Sequence, residues 1–432
     1  MAASAVMNIN SNSIITGYTK ATGATIFFST LAASVNGSIL NLNNNNISNI
    51  TCDAFTGIES KDGTSIVSGP VKSINFNKFE NIITTQAPVI ISIDKSGANS
   101  TVNSNILRNI SISGSTSPGF SAILLGSLNQ QVLTVSQNKI QQISRNARIT
   151  GIENRSLNAN ISNNTISDIT GSQITGISSS GSNNVNIFKN KICGFLGTGA
   201  SGGGTGISVT GGTQTNIYNN LIGNLKAPNS NLSLALNGLS FTGGTSVNLF
   251  NNTVYLNASS TGASFGANVL LVVSTINFTM RNNIFVNLST PGPTGRNVVY
   301  FRDNPSLSNY QNESNNNLFF SGTPSANNLM FFDFTNSDQT LAAYKSRVAP
   351  RDSNSITENP SFLSLVDSSS NFLHINAAVP TSIESGGKNV TSPVTITDDF
   401  DNEIRQGNAG YTGTGTAPDI GADEFNSGSS KI

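Results

Sequence analysis

Residues 186–195 read Asn-Ile-Phe-Lys-Asn-Lys-Ile-Cys-Gly-Phe, and the core of this stretch, an asparagine two residues before an apolar side chain, recurs along the chain. The recurring asparagine appears every 26 to 33 residues, at Asn12, Asn45, Asn77, Asn105, Asn138, Asn164, Asn190, Asn220, Asn252, Asn283 and Asn316. A short motif that repeats at this interval is typical of a solenoid, in which each repeat packs against the next.

The spacing inside the motif indicates a corner in the backbone. Ile187 and Ile192 lie five positions apart, so they cannot both face the same side of one straight strand. A bend at Lys189 and Asn190 allows both to point inward. Asparagine tolerates the left-handed conformation that such a corner needs. We therefore expect the recurring asparagines to be structural and to hydrogen-bond to one another from coil to coil, as amides do in cross-β stacks.

Two further short strands complete each repeat. One begins at a glycine, as in Gly57-Ile58 and Gly151-Ile152, and another follows the corner, as in residues 166–169. Three strands and three bends in about 30 residues are typical of a parallel β-helix. Because crossovers between parallel strands are strongly right-handed, we predict an all-β, right-handed parallel β-helix of about 11 coils.

The repeat fades in the last quarter of the chain. We predict that residues 1–330 form the coils and that residues 331–432 form the terminal coil or coils and a C-terminal cap. A solenoid exposes its apolar core at each end, so we expect this cap to close the C-terminal end. Residues 337–346 are the one segment with a candidate cap and helical spacing.

Composition excludes several classes of function. The 22 basic and 22 acidic residues cancel, and nucleic-acid binding needs a basic face, so no nucleic-acid partner is expected. The longest aliphatic run, residues 269–273, is far too short to span a bilayer.

Cys52 and Cys193 fall in the second and seventh repeats, too far apart along a stack of strands for a disulfide, so we predict two thiols.

The repeats and the tail together carry a family resemblance. The asparagine-corner repeats resemble those of the pectate-lyase-like superfamily of right-handed parallel β-helices. Residues 359–362 (Asn-Pro-Ser-Phe), 397–405 (Thr-Asp-Asp-Phe-Asp-Asn-Glu-Ile-Arg) and 417–425 (Ala-Pro-Asp-Ile-Gly-Ala-Asp-Glu-Phe) are similar to the C-terminal end of secreted β-helix proteins of Bacteroidetes. Many of those continue into a type IX secretion sorting domain. The resemblance implies a secreted or cell-surface protein whose signal and sorting segments lie outside this chain.

The resemblance does not set the activity, because the superfamily contains lyases, hydrolases and adhesin-like members. Pectinase-type hydrolysis needs clustered aspartates on one strand face, and the repeats contain no such cluster. Asp398-Asp399 is the only adjacent pair and lies in the tail. The one histidine, His374, occupies a position that reads as structural in the resembling proteins. We therefore assign no catalytic residue.

Binding residues are expected on the outer face of the glycine-introduced strands. If Ile58, Ile91, Ile152 and Val299 point inward, the first and the third residue after each of them point outward. This places a set of charged and aromatic candidates outside: Glu59, Lys61, Asp94, Glu153, Arg155, Tyr300 and Arg302. The competing interpretation is ordinary charge pairing on a solvated sheet. A hydroxyl array on the middle coils, including Ser208, Thr210, Ser240 and Thr242, leaves an ice-binding face as a minor alternative.

No metal ligand set or cofactor is assigned. The stretch 398–403 is the one place where Ca²⁺ would find several oxygen ligands, but it lacks the spacing of an EF-hand loop. We expect it to be a turn, with Arg405 paired to Asp419 or Glu424. The leading hypothesis is a non-catalytic β-helix module for adhesion or carbohydrate binding, with a polysaccharide or a cell-surface molecule as partner. The alternatives are a polysaccharide lyase or glycoside hydrolase, and a structural fibre segment.

Overall fold

The structure is a computed structural model that describes residues 5–31, 37–63, 69–114, 119–127, 131–181 and 183–426. It is all-β and contains a parallel β-solenoid of about ten turns, which confirms the predicted fold class. The backbone divides into two compact units: unit 1 comprises residues 1–186 and 210–213, and unit 2 comprises residues 187–209 and 214–432.

Most strands of unit 1 are short, and wherever they pair within the unit they are parallel. In chain order they are β1 (Val6–Asn8), β2 (Ser13–Ile14), β3 (Tyr18–Thr30), β4 (Ile39–Asn41), β5 (Asn46–Ser60), β6 (Val71–Asn75), β7 (Lys78–Thr84), β8 (Val89–Ile93), β9 (Thr101–Asn103), β10 (Ile106–Ile112), β11 (Phe120–Leu125), β12 (Leu133–Ser136), β13 (Lys139–Arg145), β14 (Arg148–Asn154), β15 (Asn158–Ser162), β16 (Thr165–Gly171) and β17 (Gln173–Ser179).

The elements that follow belong to unit 2, except that β18 and β20 include residues of both units. They are β18 (Asn184–Phe188), β19 (Lys191–Gly197), β20 (Gly203–Thr210), β21 (Gln214–Tyr218), β22 (Leu221–Lys226), β23 (Leu236–Gly243), β24 (Ser246–Phe250), β25 (Thr253–Leu256), β26 (Ala267–Val272), β27 (Asn277–Arg281), β28 (Ile284–Asn287), β29 (Asn297–Arg302), β30 (Leu318–Phe320), β31 (Asn328–Phe332), β32 (Ser337–Asp338) and α1 (Leu341–Val348).

The recurring asparagines form a hydrogen-bonded ladder that is buried except at Asn12. In each step the backbone N–H and the Nδ2 group of one asparagine both donate to Oδ1 of the asparagine one coil later, as Asn77 does to Asn105 at 2.9 Å and 2.9 Å. The ladder of unit 1 runs through Asn12, Asn45, Asn77, Asn105, Asn138 and Asn164. The ladder of unit 2 runs through Asn190, Asn220, Asn252, Asn283 and Asn317.

Two details of the predicted corner are wrong. The left-handed residue is the one before each ladder asparagine, such as Asn44 (φ 58°) before Asn45, so the ladder residue itself keeps an ordinary backbone. The last ladder member is Asn317, and Asn316 (φ 58°) holds the left-handed position. Residues 315–317 are all asparagine, so the motif could be aligned one residue early, and only the pairing of Leu318 with Ile284 reveals the register.

A second left-handed residue lies inside the strand that follows the corner. Ile140 and Ile143 in β13 are both buried although they lie three positions apart, because Gln142 between them has a φ of 55°. The same position is left-handed in other coils of unit 1, at Asn49, Asn81, Asn109 and Asp168. This bend turns two apolar side chains of one strand into the same core.

The glycines that introduce the third strand permit a close approach between coils. A Cβ built on Gly57 would lie 2.6 Å from the carbonyl oxygen of Ile90 and 2.8 Å from the ring of Phe79. A side chain at this position would therefore push neighbouring coils apart.

Cys52 and Cys193, the two cysteines of the chain, are both thiols, as predicted.

The helix expected in residues 337–346 is present but begins later, at Leu341, with Thr340 as its N-cap. The Thr340 hydroxyl accepts a hydrogen bond from the Ala343 N–H at 3.3 Å, which satisfies one of the free donors of the first turn. Tyr344 of α1 is fully buried, with its ring 5.1 Å from that of Phe319 and 5.6 Å from that of Phe331.

Residues 356–426, here called the tail, do not simply close the end of unit 2 as expected. They lie against the side of its coils, where Phe372, Leu373 and Ile383 share a buried cluster with coil residues such as Leu221 and Ile284. The left-handed asparagines of unit 2 hold the tail through its backbone, because their side-chain Nδ2 groups donate to carbonyl oxygens of the tail. Asn219 donates to Asp398 at 2.8 Å, Asn282 to Lys388 at 2.7 Å and Asn316 to Gly386 at 2.9 Å.

The predicted ion pair of the tail is confirmed. Arg405 Nη1 lies 3.1 Å from Glu424 Oε2, and both side chains are buried. The guanidinium also donates to the carbonyl oxygen of Gly421 and to Asn219 Oδ1, which joins the tail to a coil. Arg405 therefore holds the tail against a coil of unit 2.

Candidate functional site

The charged residues predicted on the glycine-introduced strands of unit 1 pair locally. Lys61 Nζ lies 2.5 Å from Glu59 Oε1, and Arg155 Nη2 lies 2.6 Å from Glu153 Oε1. Each pair joins residues two positions apart in the sequence. Exposed pairs of this kind contribute about 0–1 kcal/mol to stability and leave little charge free for a ligand.

The two charged pairs are separated by an apolar side chain. Leu124 in β11 stands in register between Ser92 and Glu153. Asp94 is half-buried, and its Oδ1 accepts a hydrogen bond from the Lys95 N–H at 3.0 Å. The charged face of unit 1, defined as Glu59, Lys61, Asp94, Glu153 and Arg155, is therefore a set of local contacts, and its role in binding stays a prediction.

Tyr300 and Arg302 were expected on the outer surface, and this is wrong. Both side chains are fully buried, and Arg302 Nη1 donates to the Tyr300 hydroxyl at 2.7 Å. In β29, Tyr300 pairs in register with the core residue Leu270, so the Tyr300 side chain points inward. Phe301, the next residue along the strand, therefore points outward. Residues 298–301 are all apolar or aromatic, so alternation in the sequence did not reveal which side chains face the core.

A polar cleft of about 510 Å³ lies in unit 2 between the outer face of β24 and β27 and one loop of the tail. Polar side chains form most of its wall, together with one aromatic ring and one proline: Ser246, Asn248, Phe250, Asn277, Thr279, Arg281, Gln311, Glu313, Thr391, Ser392 and Pro393. This volume is in the range of sites that hold small ligands.

Strand alternation builds the coil side of the polar cleft. Val247 and Leu249 point into the core, so Ser246 and Asn248 must point outward. The next coil repeats the arrangement, because Asn248 pairs in register with Thr279. The opposite wall is the loop of residues 391–393, whose flanking residues Val390 and Ile396 are buried against Phe250.

The polar cleft contains hydrogen-bonding groups that the described part of the chain leaves unpaired. Arg281 donates through Nε and Nη2 to the carbonyl oxygen of Glu313, at 3.3 Å and 3.2 Å, which leaves Nη1 available. The side chains of Glu313, Asn277 and Thr279 have no hydrogen-bond partner among the described residues. Burial lowers the pKa of Arg281 and the nearby Glu313 carboxylate opposes this, but a guanidinium stays protonated in proteins.

A smaller aromatic cleft of about 120 Å³ lies elsewhere in unit 2. The rings of Phe301 and Phe332 lie 5.7 Å apart, and Phe334 packs edge-on against Phe301 at 5.4 Å. The guanidinium of Arg296 lies 4.8 Å from the centre of the Phe332 ring. Sequence reasoning missed this cleft because it placed Tyr300 and Arg302, rather than Phe301, on the outer face of this strand.

The acidic stretch 398–403 is a hydrogen-bonded turn, and its aspartates do not converge. Asp399 Oδ1 accepts the N–H groups of Asp401 and Glu403, both at 2.8 Å, while its Oδ2 accepts the N–H of Glu424. Asp398 instead pairs with Lys189 at 2.8 Å. Asp399 therefore has a structural role in this turn.

No family model, curated protein or solved structure matches this chain. Among the described residues, no helix combines the length and the apolar character that crossing a membrane requires. The fold therefore stands on the structure alone. Alternation in residues 246–250 and 277–281 could have marked one wall of the polar cleft, whereas the position of the tail loop left no local signal in the sequence.

Proposed function

We propose that this chain is a non-catalytic carbohydrate-binding module and that the polar cleft of unit 2 is its binding site. The observation that carries this proposal is the set of unpaired hydrogen-bonding groups on Asn277, Thr279, Arg281 and Glu313. Saccharides are dense in hydroxyl groups that both donate and accept, so they match a wall that offers amide, hydroxyl, guanidinium and carboxylate groups. These groups are exposed or half-buried, so a bound sugar can replace the water that hydrogen-bonds to them in the free protein.

The shape of the polar cleft supports a chain-like ligand. Asn248 and Thr279 stand on adjacent coils, about 4.8 Å apart, and Glu313 follows on the next turn. Pro393 is exposed and adds apolar surface on which the carbon face of a sugar ring can pack, whereas Phe250 is buried behind the wall. A linear glycan running along the solenoid axis would meet similar side chains at regular intervals.

The setting of this function is the outside of a bacterial cell, as part of a secreted or surface-attached protein. This part of the proposal rests on the resemblance of the repeats and of residues 397–405 and 417–425 to exported β-helix proteins of Bacteroidetes. The partner would then be a polysaccharide of the surroundings or of another cell surface.

The test is a glycan array probed with the wild-type protein and with two arginine variants. Arg281→Ala removes the cation of the polar cleft, and Arg155→Ala removes a cation of the charged face of unit 1. We expect Arg281→Ala to weaken binding of the strongest glycan at least about 10-fold, in line with the loss of a charge-assisted hydrogen bond. Arg155→Ala should bind as the wild type does.

The matched pair distinguishes the two candidate surfaces, and both variants should first be shown to melt like the wild type. Equal loss of binding in Arg155→Ala and none in Arg281→Ala would move the site to unit 1 and refute the polar cleft. Incubation of the same proteins with uronate polymers, followed by ultraviolet detection of unsaturated products, tests the lyase alternative. Turnover of any polymer would replace the non-catalytic proposal.

A further inference from the structure

A cluster of three metal-ligating side chains lies in the tail, apart from the residues that line the polar cleft. One ligand atom from each of His374, Asp401 and Asp423 lies within 4.8 Å of the other two. These residues come from three separate segments of the tail. The turn described above, with Asp399 bonding to the N–H of Asp401, places the Asp401 carboxylate toward the histidine.

The imidazole of His374 is oriented as in many metal sites. Its Nδ1 lies 3.1 Å from the carbonyl oxygen of Phe372, so Nδ1 carries a proton and donates it to that oxygen. Nε2 is left to face the carboxylate of Asp401, with which it is in contact. A backbone carbonyl that fixes one ring nitrogen and frees the other is the usual second partner of a metal-binding histidine.

Asp423 supplies the second observation. Its side chain is only 8% exposed. Oδ2 accepts the N–H of Ile375 at 2.7 Å, and no donor among the described residues bonds to Oδ1. Oδ1 is therefore available as a ligand atom on a residue that is otherwise buried. Asp401, with 45% of its side chain exposed, leaves room for water to complete a coordination shell.

We propose that His374, Asp401 and Asp423 bind one divalent transition-metal ion, with water in the remaining position. One imidazole nitrogen and two carboxylate oxygens suit Zn²⁺, whereas Ca²⁺ prefers an all-oxygen shell. The ion would join the strand-like segment at 372–375 to the turns at 401 and 423. Its effect is therefore to stabilise the tail on the side of unit 2.

The test is calorimetric titration of ZnCl₂ into the full chain after removal of metals with a chelator, with thermal melting alongside. We expect one Zn²⁺ per chain and a rise in melting temperature on addition of Zn²⁺. Asp401→Asn should weaken binding at least about 10-fold. Because Asp401 is exposed, this variant should fold normally. His374→Gln should also weaken binding.

Glu403→Gln is the matched control, since Glu403 is an exposed acid of the same turn outside the cluster. It should bind Zn²⁺ as the wild type does. The proposal is overturned if no stoichiometric binding occurs, if Asp401→Asn binds as tightly as the wild type, or if Ca²⁺ binds more tightly than Zn²⁺. Because glycan binding is measured separately, failure here leaves the proposed function untouched.

Discussion

Asn105 shows at the scale of one residue why asparagine recurs through this chain. Its Oδ1 accepts two hydrogen bonds from Asn77, and its Nδ2 donates to the carbonyl oxygen of Ile74 at 2.8 Å and to Asn138 Oδ1 at 2.9 Å. The side chain is fully buried. One amide thus satisfies groups on the preceding and the following coil, which no other side chain of similar size can do.

Asn105→Ala should lower the free energy of unfolding by about 3 kcal/mol or more. The substitution leaves two donors of Asn77 and the carbonyl oxygen of Ile74 buried without partners, and each such group costs about 1–3 kcal/mol. Chemical denaturation monitored by circular dichroism measures the change. Asn109→Gly serves as the control in the same coil, because Asn109 bonds to Asn81 on the exposed surface and glycine tolerates its left-handed backbone. A cost for Asn105→Ala no larger than that of the control would contradict the ladder account.

Phe76 is the least expected residue at a left-handed corner. It has a φ of 58° and 58% exposure, where the neighbouring coil carries Asn44. Phe76→Asn should raise stability by about 1 kcal/mol, because left-handed backbone costs about 1–2 kcal/mol for most residues and less for asparagine. Phe76→Ala removes the same exposed ring without relieving the backbone, so it should give no increase. Thermal melting of both variants checks this, and equal gains would point to loss of the ring as the cause.

The ladder asparagines could be found from the sequence because the same residue type recurs at a similar interval in every repeat. The left-handed residues before them could not, because unit 1 fills that position with chemically unrelated side chains: Asn44, Phe76, Ser104, Gln137 and Asn163. Any residue that points to solvent is accepted there at a moderate energetic cost. In unit 2 the same column contains Lys189 and then Asn219, Asn251, Asn282 and Asn316, and these side chains also hold the tail.

At the scale of elements, β29 and the tail show where sequence reasoning failed. β29 is apolar on both faces, so its register follows from pairing with β26 and could not be obtained from alternation. The tail has almost no regular strands and is held by side-chain contacts to backbone groups of the coils. Its Arg405 pairing was predictable, because a lone cation near acidic residues in a buried segment needs a partner.

The tail should also carry a pH dependence through Asp419. Burial raises the pKa of Asp419 from 3.8 to about 8, and the neighbouring Glu424 carboxylate adds to this. Between about 4 and about 8 the folded chain retains a proton that the unfolded chain has lost, so the stability contributed by this group falls as pH rises through that window. Asp419→Asn cannot ionise, so its melting temperature relative to wild type should rise from acidic to neutral pH.

The control for this titration is Glu403→Gln, an exposed acid of the same tail. Its melting temperatures should run parallel to those of the wild type over the same pH range. Parallel curves for Asp419→Asn as well would show that Asp419 is not the group whose ionisation weakens the tail.

At the scale of the whole molecule, function depends on surfaces that bring distant segments of the chain together. Alternating residues of β24 and β27 form one wall of the polar cleft, and this wall follows from the same periodicity that predicts the fold. The other wall, residues 391–393, lies more than 100 positions later and is held by contacts of Val390 and Ile396 with Phe250. On the charged face of unit 1, the binding surface that the sequence offered, Lys61 pairs with Glu59 and Arg155 pairs with Glu153, each two positions away in the sequence.

Hydrogen–deuterium exchange with and without the strongest glycan of the array tests the central claim most directly. Backbone amides in the loops at 311–313 and 391–393 lie outside regular strands, so a ligand that fills the polar cleft should slow their exchange. We predict protection in both loops in the wild type and none in Arg281→Ala. Protection confined to residues 59–61 and 153–155 would contradict the account and place the binding site on unit 1.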